Sequence, residues 1–203
     1  GFGQSPFPVP EKIVEALKKN AHRKEYLPIQ GLPELRKKIS KYLSRRTGNN
    51  YPKENILITP GSKEAMLLIH IAFNGEIIIP APGWVSYEPQ ADIGSNKVHW
   101  LETTRENNWF PTAKELEKKI KSVGKKKNLI LILNSPNNPS GAVCENLDEL
   151  ANVAKKYKIL VLSDEIYTDL TFTNKYNSIS TFYPELTFIT GGLSKWCGAG
   201  GWR

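Results

Sequence analysis

A glycine-rich stretch near the end of the chain holds the residues best suited to covalent chemistry. Residues 191–203 have the sequence GGLSKWCGAGGWR, in which Lys195 lies beside the hydroxyl of Ser194 and eight positions before Arg203. A deprotonated lysine amine forms an imine with an aldehyde, and the planar donor fork of an arginine suits a phosphate dianion. Glycine-rich backbone can approach a ligand closely and offer bare N–H groups. The stretch therefore predicts a cofactor with both an aldehyde and a phosphate, and pyridoxal 5'-phosphate (PLP) has both.

A carboxylate suited to the pyridine ring of PLP lies at Asp164, within the run SDEIY at residues 163–167. The run follows an apolar segment, and a carboxylate at the end of a buried strand requires a cationic partner. A protonated pyridine nitrogen would be such a partner, and an aspartate beside it strengthens the ring as an electron sink. Tyr167 could bond the phenolic oxygen of the ring. The alternative is that Asp164 caps a following helix.

Three shorter clusters follow other predicted strands and carry weaker signals. Residues 61–63 open a predicted helix, whose first N–H groups could hold a phosphate, although a plain serine cap has the same pattern. The run 134–141 places Asn138 between prolines, as a donor for a cofactor oxygen or only as part of a rigid turn. Trp84 could stack on a pyridine ring or fill the core. The residues alone leave these alternatives open.

The composition argues against several classes of function. Lys and Arg number 28 against 20 Asp and Glu, a net charge of +8. The basic residues are nevertheless scattered, without the aromatic interleaving typical of nucleic-acid binders. No apolar run approaches the ~20 residues that span a membrane, and no signal segment opens the chain. No metal is predicted, because no cluster has metal-ligand spacing. Cys144 and Cys197 are expected to be free thiols in a reducing compartment, the cytoplasm.

The segments that must position these residues alternate between strands and helices. Periodicity predicts strands at residues 56–59, 76–80, 97–101, 129–133, 159–162 and 187–190, with helices at 62–73, 86–93, 112–123 and 147–157. Two further helices are predicted before residue 50. Apolar strands that alternate with helices predict an α/β fold, a mostly parallel central sheet with helices on both faces in three α-β-α layers. Ligands of such sheets bind beyond the carboxyl ends of the strands.

With these residues assembled, the sequence resembles the class I/II aminotransferases of the PLP-dependent fold-type I superfamily, over all 203 residues. Residues 194–203 match the PLP-attachment signature of that family. The other matching motifs are YLPIQGLPELR at 26–36, PAPGWVSY at 80–87, NPSG at 138–141 and SDEIY at 163–167.

The resemblance implies a role for each of these residues toward the ring of PLP. Lys195 would form the Schiff base with PLP and, once released, move the proton between the substrate α-carbon and C4'. Asp164 would pair with the pyridine N–H, while Asn138 and Tyr167 would bond the phenolic oxygen. Trp84 would stack on the ring.

The same resemblance implies contacts with the phosphate and the substrate. The phosphate would be cradled by Gly61, Ser62, Lys63, Ser194 and Arg203. Tyr26 would reach the phosphate of the neighbouring subunit, which implies a homodimer with shared sites. Gly3, in a segment that resembles the family's Gly-x-Pro-x-Phe, would line the substrate carboxylate, together with Trp84 and Asn138.

The reaction implied is that of a transaminase of amino-acid metabolism and biosynthesis. It moves the amino group of an L-amino acid, with aspartate as the default, to a 2-oxo acid. The motifs do not separate this reaction from C–S lyase or related elimination chemistry, because the electron sink and the lysine base serve both. A third hypothesis is a PLP-binding regulatory domain fused to a DNA-binding module.

Two features depart from the family pattern. Gly83 stands where many members carry an aromatic residue, so a differently shaped substrate pocket is expected. The chain stops at Arg203, whereas members continue into a small domain whose arginine grips the substrate carboxylate. Residues 1–50 would then be the N-terminal segment and helices that pack on the large domain and the dimer. Residues 51–203 would be an incomplete PLP-binding large domain, with exposed apolar surface and with the activity of the isolated chain left open.

Overall fold

The computed structural model describes residues 3–124, 128–172 and 177–202. The chain divides into two compact units, one of Gly1–Gly61 with Gly192–Arg203 and one of Ser62–Gly191. The α-helices, in chain order, are α1 (Glu11–Asn20), α2 (Pro33–Thr47), α3 (Ser62–Ala72), α4 (Tyr87–Ile93), α5 (Ala113–Val123) and α6 (Leu147–Tyr157). The strands are β1 (Glu76–Ala81), β2 (Lys97–Glu102), β3 (Leu129–Asn134), β4 (Leu160–Asp164) and β5 (Thr187–Thr190). None of the helices in the described ranges is long and apolar enough to cross a membrane.

The larger unit is built on a parallel sheet. Its five described strands lie in the order β2-β1-β3-β4-β5, and every neighbouring pair is parallel. Parallel neighbours need crossover connections, and the helices between the strands provide them. The five strands predicted in this part of the chain are confirmed with ends that shift by at most two residues.

Helices cover both faces of this sheet, because the apolar side chains of its central strands point alternately to either side. β3 is buried along its whole length. On one face Leu131 packs in a core cluster with Leu116 of α5 and Leu150 of α6. On the other face Ile132 packs with Met66 of α3. The three-layer α-β-α architecture predicted from the alternation is confirmed.

Helix α5 shows how the local sequence determines an element boundary. The Thr112 hydroxyl accepts a hydrogen bond from the Glu115 N–H at 3.2 Å, and the Thr112 N–H donates to Glu115 Oε2 at 2.8 Å. This reciprocal arrangement is the capping box predicted from the sequence, and it satisfies donors that the first helical turn leaves unpaired.

The smaller unit contains α1 and α2. Pro33 occupies the first turn of α2, as predicted, and the Arg36 guanidinium holds the following chain by donating to Lys53 O at 2.7 Å and to Ile56 O at 2.9 Å. The prediction of a strand at residues 56–59 is wrong. Those residues pair with no strand in the described structure, and Ile58 N donates instead to Gln30 O at 3.0 Å. A short apolar run does not by itself specify a strand.

Apolar side chains are also exposed on the smaller unit. Tyr26 is fully exposed, and the neighbouring Leu27 and Ile29 are also exposed. Helix α1 has no buried residue. The apolar exposure predicted for residues 51–203 is present there at Val85, Ile93 and Phe172.

Candidate functional site

The polar residues predicted to do chemistry in the larger unit lie at the carboxyl ends of β3 and β4. Asn134 and Asp164 are the last residues of these strands, and the parallel register places them opposite each other. Both side chains are buried. A buried carboxylate at a strand end is costly unless donors or a cation compensate it, so its surroundings determine what it can bind.

Hydrogen-bond donors from three parts of the chain surround the Asp164 carboxylate. The Tyr87 hydroxyl donates to Oδ2 at 2.8 Å, while the Ile166 N–H and the Thr190 hydroxyl each donate to Oδ1 at 3.3 Å. Donors of this kind stabilise the ionised form of a carboxyl group. The alternative role of Asp164 as a helix cap is wrong, because the next helical turn begins at Thr168 and has no side-chain cap.

Tyr87 remains a neutral donor in this arrangement. Burial, and secondarily the charge of the adjacent Asp164, raise the pKa of the Tyr87 phenol well above 10. Burial, followed by the same charge, also raises the pKa of Tyr167. Both phenols therefore keep their protons at physiological pH.

Asn134 and the turn that follows β3 form another part of the site, next to Asp164. The Asn134 amide donates to Asp164 O at 2.9 Å, and its oxygen accepts from Asn138 N at 2.7 Å. Asn138 Nδ2 in turn lies 3.4 Å from the Tyr167 hydroxyl. The structure thus brings together Asp164, Asn138 and Tyr167, as the sequence predicted, and the turn is also a rigid one.

Trp84 contacts Tyr87, the tyrosine whose hydroxyl donates to Asp164. The two rings meet edge to face, with centroids 5.5 Å apart and an interplanar angle of 83°. Trp84 also packs partly against the core cluster that includes Met66, as the core-filling alternative predicted, and its stacking on a pyridine ring remains a prediction. Lys63 Nζ lies 4.9 Å from the centroid of the Trp84 ring.

The residues predicted to cradle a phosphate lie in different parts of the chain. Ser62 and Lys63 form the first turn of α3, where N–H groups are free of intrahelical partners. Gly61 belongs to the smaller unit and has a φ of 148°. Arg203 lies outside the described residues, so its contact with a phosphate remains a prediction. Tyr26 is exposed, and its role toward a neighbouring subunit also remains a prediction.

Gly83, where an aromatic residue was noted in many family members, lies in a close-packed turn. A Cβ atom there would be 3.1 Å from Pro80 O and 3.2 Å from Ile79 Cγ2. These distances are tighter than ordinary van der Waals contact. The glycine therefore lets the turn after β1 approach the strand more closely than a side chain would permit.

Lys195, the predicted covalent residue, lies in the smaller unit beside the N-terminal segment. Its Nζ donates to Gly3 O at 3.3 Å, and a Cβ atom built on Gly3 would lie 2.9 Å from that nitrogen. Gly3 has a φ of 61°, a conformation that favours glycine. The structure thus brings together Lys195 and Gly3, the predicted substrate-binding glycine.

The signature stretch around Lys195 is folded back on itself. Ala199 N and Cys197 Sγ both donate to Leu193 O, at 3.2 and 2.8 Å. A Cβ atom on Gly200 would lie 3.4 Å from Ser194 Cβ. That distance is an ordinary van der Waals separation, so Gly200 lies next to Ser194 in the folded stretch.

Sequence comparison identifies the family to which these features belong. Residues 1–203 match the family described as Aminotransferase class I and II. The chain belongs to this family. Its members depend on PLP, which agrees with the cofactor predicted from the lysine, the carboxylate and the glycine-rich stretch.

Relatives and solved structures extend the comparison. The chain is 34% identical to an aspartate aminotransferase of Thermotoga maritima, with 99% of this chain and 55% of that protein covered. It is 33% identical to an aspartate aminotransferase of Pyrococcus horikoshii, with 100% and 53% covered. An aspartate aminotransferase structure from Thermus thermophilus with maleate matches at a TM-score of 0.92 and 30% identity, covering 99% of this chain and 53% of that one. The chain spans about half the length of these relatives.

The donor set of this chain fits PLP. Asp164 offers a buried carboxylate for a ring N–H, and the Asn138 amide and Tyr167 phenol offer donors for a phenolate oxygen. Lys195 offers an amine for the aldehyde, and its Nζ lies so close to Gly3 that a Cβ atom there would be 2.9 Å away.

Sequence reasoning missed two residues of this site, Tyr87 and Asn134. Both stood inside motifs that the sequence singled out, at 80–87 and 134–141. Asn134 carried a weak signal, because it is the polar residue that ends a wholly apolar strand. Tyr87 carried none, because its partner Asp164 lies 77 positions away.

Proposed function

We propose that the complete gene product, meaning this chain with whatever its gene encodes on either side, is a PLP-dependent aminotransferase. It transfers the amino group of an L-amino acid to a 2-oxo acid, with Lys195 as the covalent anchor of PLP. Membership of the family supports the reaction class. The observation that carries the proposal is the buried Asp164 carboxylate, which accepts hydrogen bonds from Tyr87, Ile166 and Thr190 at the carboxyl end of a parallel sheet.

Bound PLP supplies an electron sink for negative charge that develops at the α-carbon of the substrate. Asp164 strengthens that sink by holding a proton on the ring nitrogen, since a carboxylate stabilises an adjacent cation. Asn138 and Tyr167 orient the ring through its phenolic oxygen. Trp84 packs on the ring and limits the access of water to it.

Lys195 has two tasks in the proposed mechanism. Its Nζ anchors the cofactor, and after release the same nitrogen moves the proton of the substrate α-carbon, which is general acid–base catalysis by a positioned amine. The Gly3 carbonyl accepts a hydrogen bond from this nitrogen and so directs it. We assign the phosphate to Gly61, Ser62, Lys63, Ser194 and Arg203, and we assign to Gly3 a second contact, with the substrate carboxylate.

The remaining parts of the proposal concern substrate, assembly and location. The relatives named aspartate aminotransferases support aspartate as the amino donor. Exposed Tyr26 and Ile29 support a homodimer in which Tyr26 reaches the neighbouring site. Two buried free thiols, at Cys144 and Cys197, are consistent with the cytoplasm. In this proposal residues 1–50 pack on a large domain to which residues 51–203 belong.

Two measurements test the proposed function. Borohydride reduction of the complete gene product loaded with PLP, followed by peptide mass spectrometry, should place a phosphopyridoxyl group on Lys195. Addition of aspartate alone should convert the absorbance of the bound cofactor to that of the pyridoxamine form, and a 2-oxo acid should restore it. Lys195→Ala should lose turnover by on the order of 10³-fold, whereas Lys118→Ala, a change at an exposed lysine of α5, should not.

Other outcomes would contradict the proposal. A cofactor spectrum that stays unchanged with every common amino acid would exclude transamination. Release of pyruvate and ammonia from cystathionine, with no dependence on a 2-oxo acid, would assign the protein to elimination chemistry instead. Sequence-specific DNA binding by the complete gene product without turnover would favour a regulatory role.

A further inference from the structure

Tyr87 joins two parts of the larger unit that are far apart in sequence. It is the first residue of α4, it is 1% exposed, and its hydroxyl donates to Asp164 Oδ2 at 2.8 Å across 77 positions of chain. The hydrogen bonds from Ile166 and Thr190 reach the other carboxylate oxygen and are longer, at 3.3 Å. Tyr87 is therefore the closest of these three donors, and it contacts a different oxygen.

The chemistry of this donor suits a carboxylate that must remain charged. A lysine or arginine at this position would neutralise Asp164 and compete with any cationic ligand. A phenol donates one hydrogen bond and leaves the negative charge in place. Because burial raises the pKa of Tyr87 well above 10, the phenol keeps its proton over the physiological range.

Packing holds the Tyr87 ring in one position. The ring belongs to the buried cluster on the α3 and α4 face of the sheet, and Trp84 meets it edge to face at 5.5 Å. An edge-to-face pair of this kind stabilises the ring positions beyond the effect of the area that it buries. Tyr87 thus touches both Trp84 and Asp164, the residues to which the proposed function gives the face and the nitrogen of the cofactor ring.

We propose that Tyr87 is a positioning residue that holds Asp164 ionised and correctly oriented, and through it sets the protonation of the cofactor's ring nitrogen. The proposal rests on the proposed function, because it requires PLP in the site. Loss of the hydroxyl makes the Asp164 carboxylate more basic. The proton between carboxylate and ring nitrogen then moves toward Asp164, and the electron sink weakens.

The direct test is the ¹⁵N NMR shift of PLP labelled at its ring nitrogen, bound to the complete gene product without substrate. In Tyr87→Phe the signal should move from the pyridinium position toward that of neutral pyridine. The matched control is Tyr183→Phe, the same chemical change at a tyrosine that is 4% exposed in the core cluster on the other face of the sheet. That control should retain the wild-type signal.

The kinetic constants of these variants should change in parallel with the ¹⁵N shifts. Tyr87→Phe should lower kcat by about 10-fold with little change in KM, because a hydrogen bond to a charged group is lost and substrate binding is not. In an Asp164→Asn background the Tyr87→Phe change should have no further effect on kcat or on the ¹⁵N shift. If Tyr87→Phe does not fold, 4-aminophenylalanine at position 87, a weaker hydrogen-bond donor of similar shape, should also move the signal toward neutral pyridine.

Distinct results overturn this inference and the proposed function. If the wild type carries PLP on Lys195 and transaminates, but Tyr87→Phe or the 4-aminophenylalanine variant leaves the ¹⁵N shift unchanged, the inference about Tyr87 is wrong and the proposed function stands. The inference is also wrong if the Tyr87→Phe effect persists undiminished in Asp164→Asn. If the wild type itself forms no borohydride-stable adduct at Lys195, the proposed function has failed.

Discussion

Asn134 spans the gap between the ends of two neighbouring strands by bonding to the backbone of Asp164. Its amide nitrogen donates to Asp164 O at 2.9 Å, and its amide oxygen accepts from Asn138 N at 2.7 Å. One side chain therefore satisfies a buried carbonyl of β4 and an N–H of the following turn. It also sets the separation between the residue assigned to the ring nitrogen and the residue assigned to the phenolic oxygen.

Replacement of Asn134 by alanine should destabilise the protein and weaken PLP binding together. An unpaired buried polar group costs about 1–3 kcal/mol, and the substitution leaves two groups without their present partner. We expect the free energy of unfolding of the complete gene product to fall by about 2–4 kcal/mol, measured by urea denaturation.

The control for this prediction is Asn128→Ala. Asn128 is exposed, and its amide donates to the Asn74 carbonyl at 3.1 Å. Water can replace that bond, so its loss should change the unfolding free energy by less than about 0.5 kcal/mol. Equal losses in the two variants would contradict the bridging role of Asn134.

Replacement of Gly3 by alanine should weaken the reaction of Lys195 with PLP. The new Cβ would lie 2.9 Å from Lys195 Nζ, so the amine must move, and the φ of 61° adds backbone strain. We expect the apparent dissociation constant for PLP, measured by spectral titration, to rise by about 10-fold, the equivalent of about 1.4 kcal/mol.

Gly48→Ala is the control that separates the effect of backbone strain from the effect of a Cβ atom close to Lys195. Gly48 also has a left-handed φ, of 78°, but a Cβ there meets nothing within 4 Å. Its replacement should cost about 1 kcal/mol of stability and leave PLP affinity unchanged. If both alanine variants bind PLP like the wild type, the carbonyl and space at Gly3 do not position Lys195.

The sequence predicted most of the sheet and several site residues for a physical reason. The periodicity of apolar residues reflects which side chains are buried, so it predicts the strands of the larger unit and the position of Asp164 at a strand end. Contacts between residues that are far apart in sequence produce no local pattern of this kind. The hydrogen bond between Tyr87 and Asp164 depends on how α4 packs on the sheet. Residues 56–59 form no strand because no strand lies beside them within the described ranges.

The thiol of Cys144 should be inert in the folded protein. Burial raises its pKa to about 12, and its Sγ donates to Asn146 Oδ1 at 3.2 Å within the core. Since the thiolate is the reactive form, iodoacetamide at neutral pH should leave Cys144 unmodified in the native protein and modify it in guanidinium chloride. Peptide mass spectrometry measures both. Rapid native labelling of Cys144 would show that this part of the core opens readily.

The stability of the protein should depend on pH through Glu117, on α5. Its Oε1 accepts from the Tyr157 hydroxyl at 2.7 Å and from Lys156 Nζ at 2.9 Å, and Lys121 Nζ lies at 3.1 Å. These contacts, the Tyr157 bond first, lower the pKa of Glu117 from 4.5 to about 2. A folded-state pKa below the unfolded one stabilises the protein above the unfolded value, and the contribution disappears as pH falls toward the folded value.

Glu117→Gln should therefore lower the Tm relative to the wild type at pH 7 and lose that difference between about pH 4.5 and 2. Thermal unfolding of the complete gene product, followed by circular dichroism at closely spaced pH values, measures the difference. Glu102→Gln, at an exposed glutamate that ends β2, is the charge-matched control and should show no comparable pH dependence. If the difference in Tm between the wild type and Glu117→Gln stays constant from pH 7 to 3, the prediction is wrong. The contacts with Tyr157 and the lysines would then not act on the charge of the carboxylate.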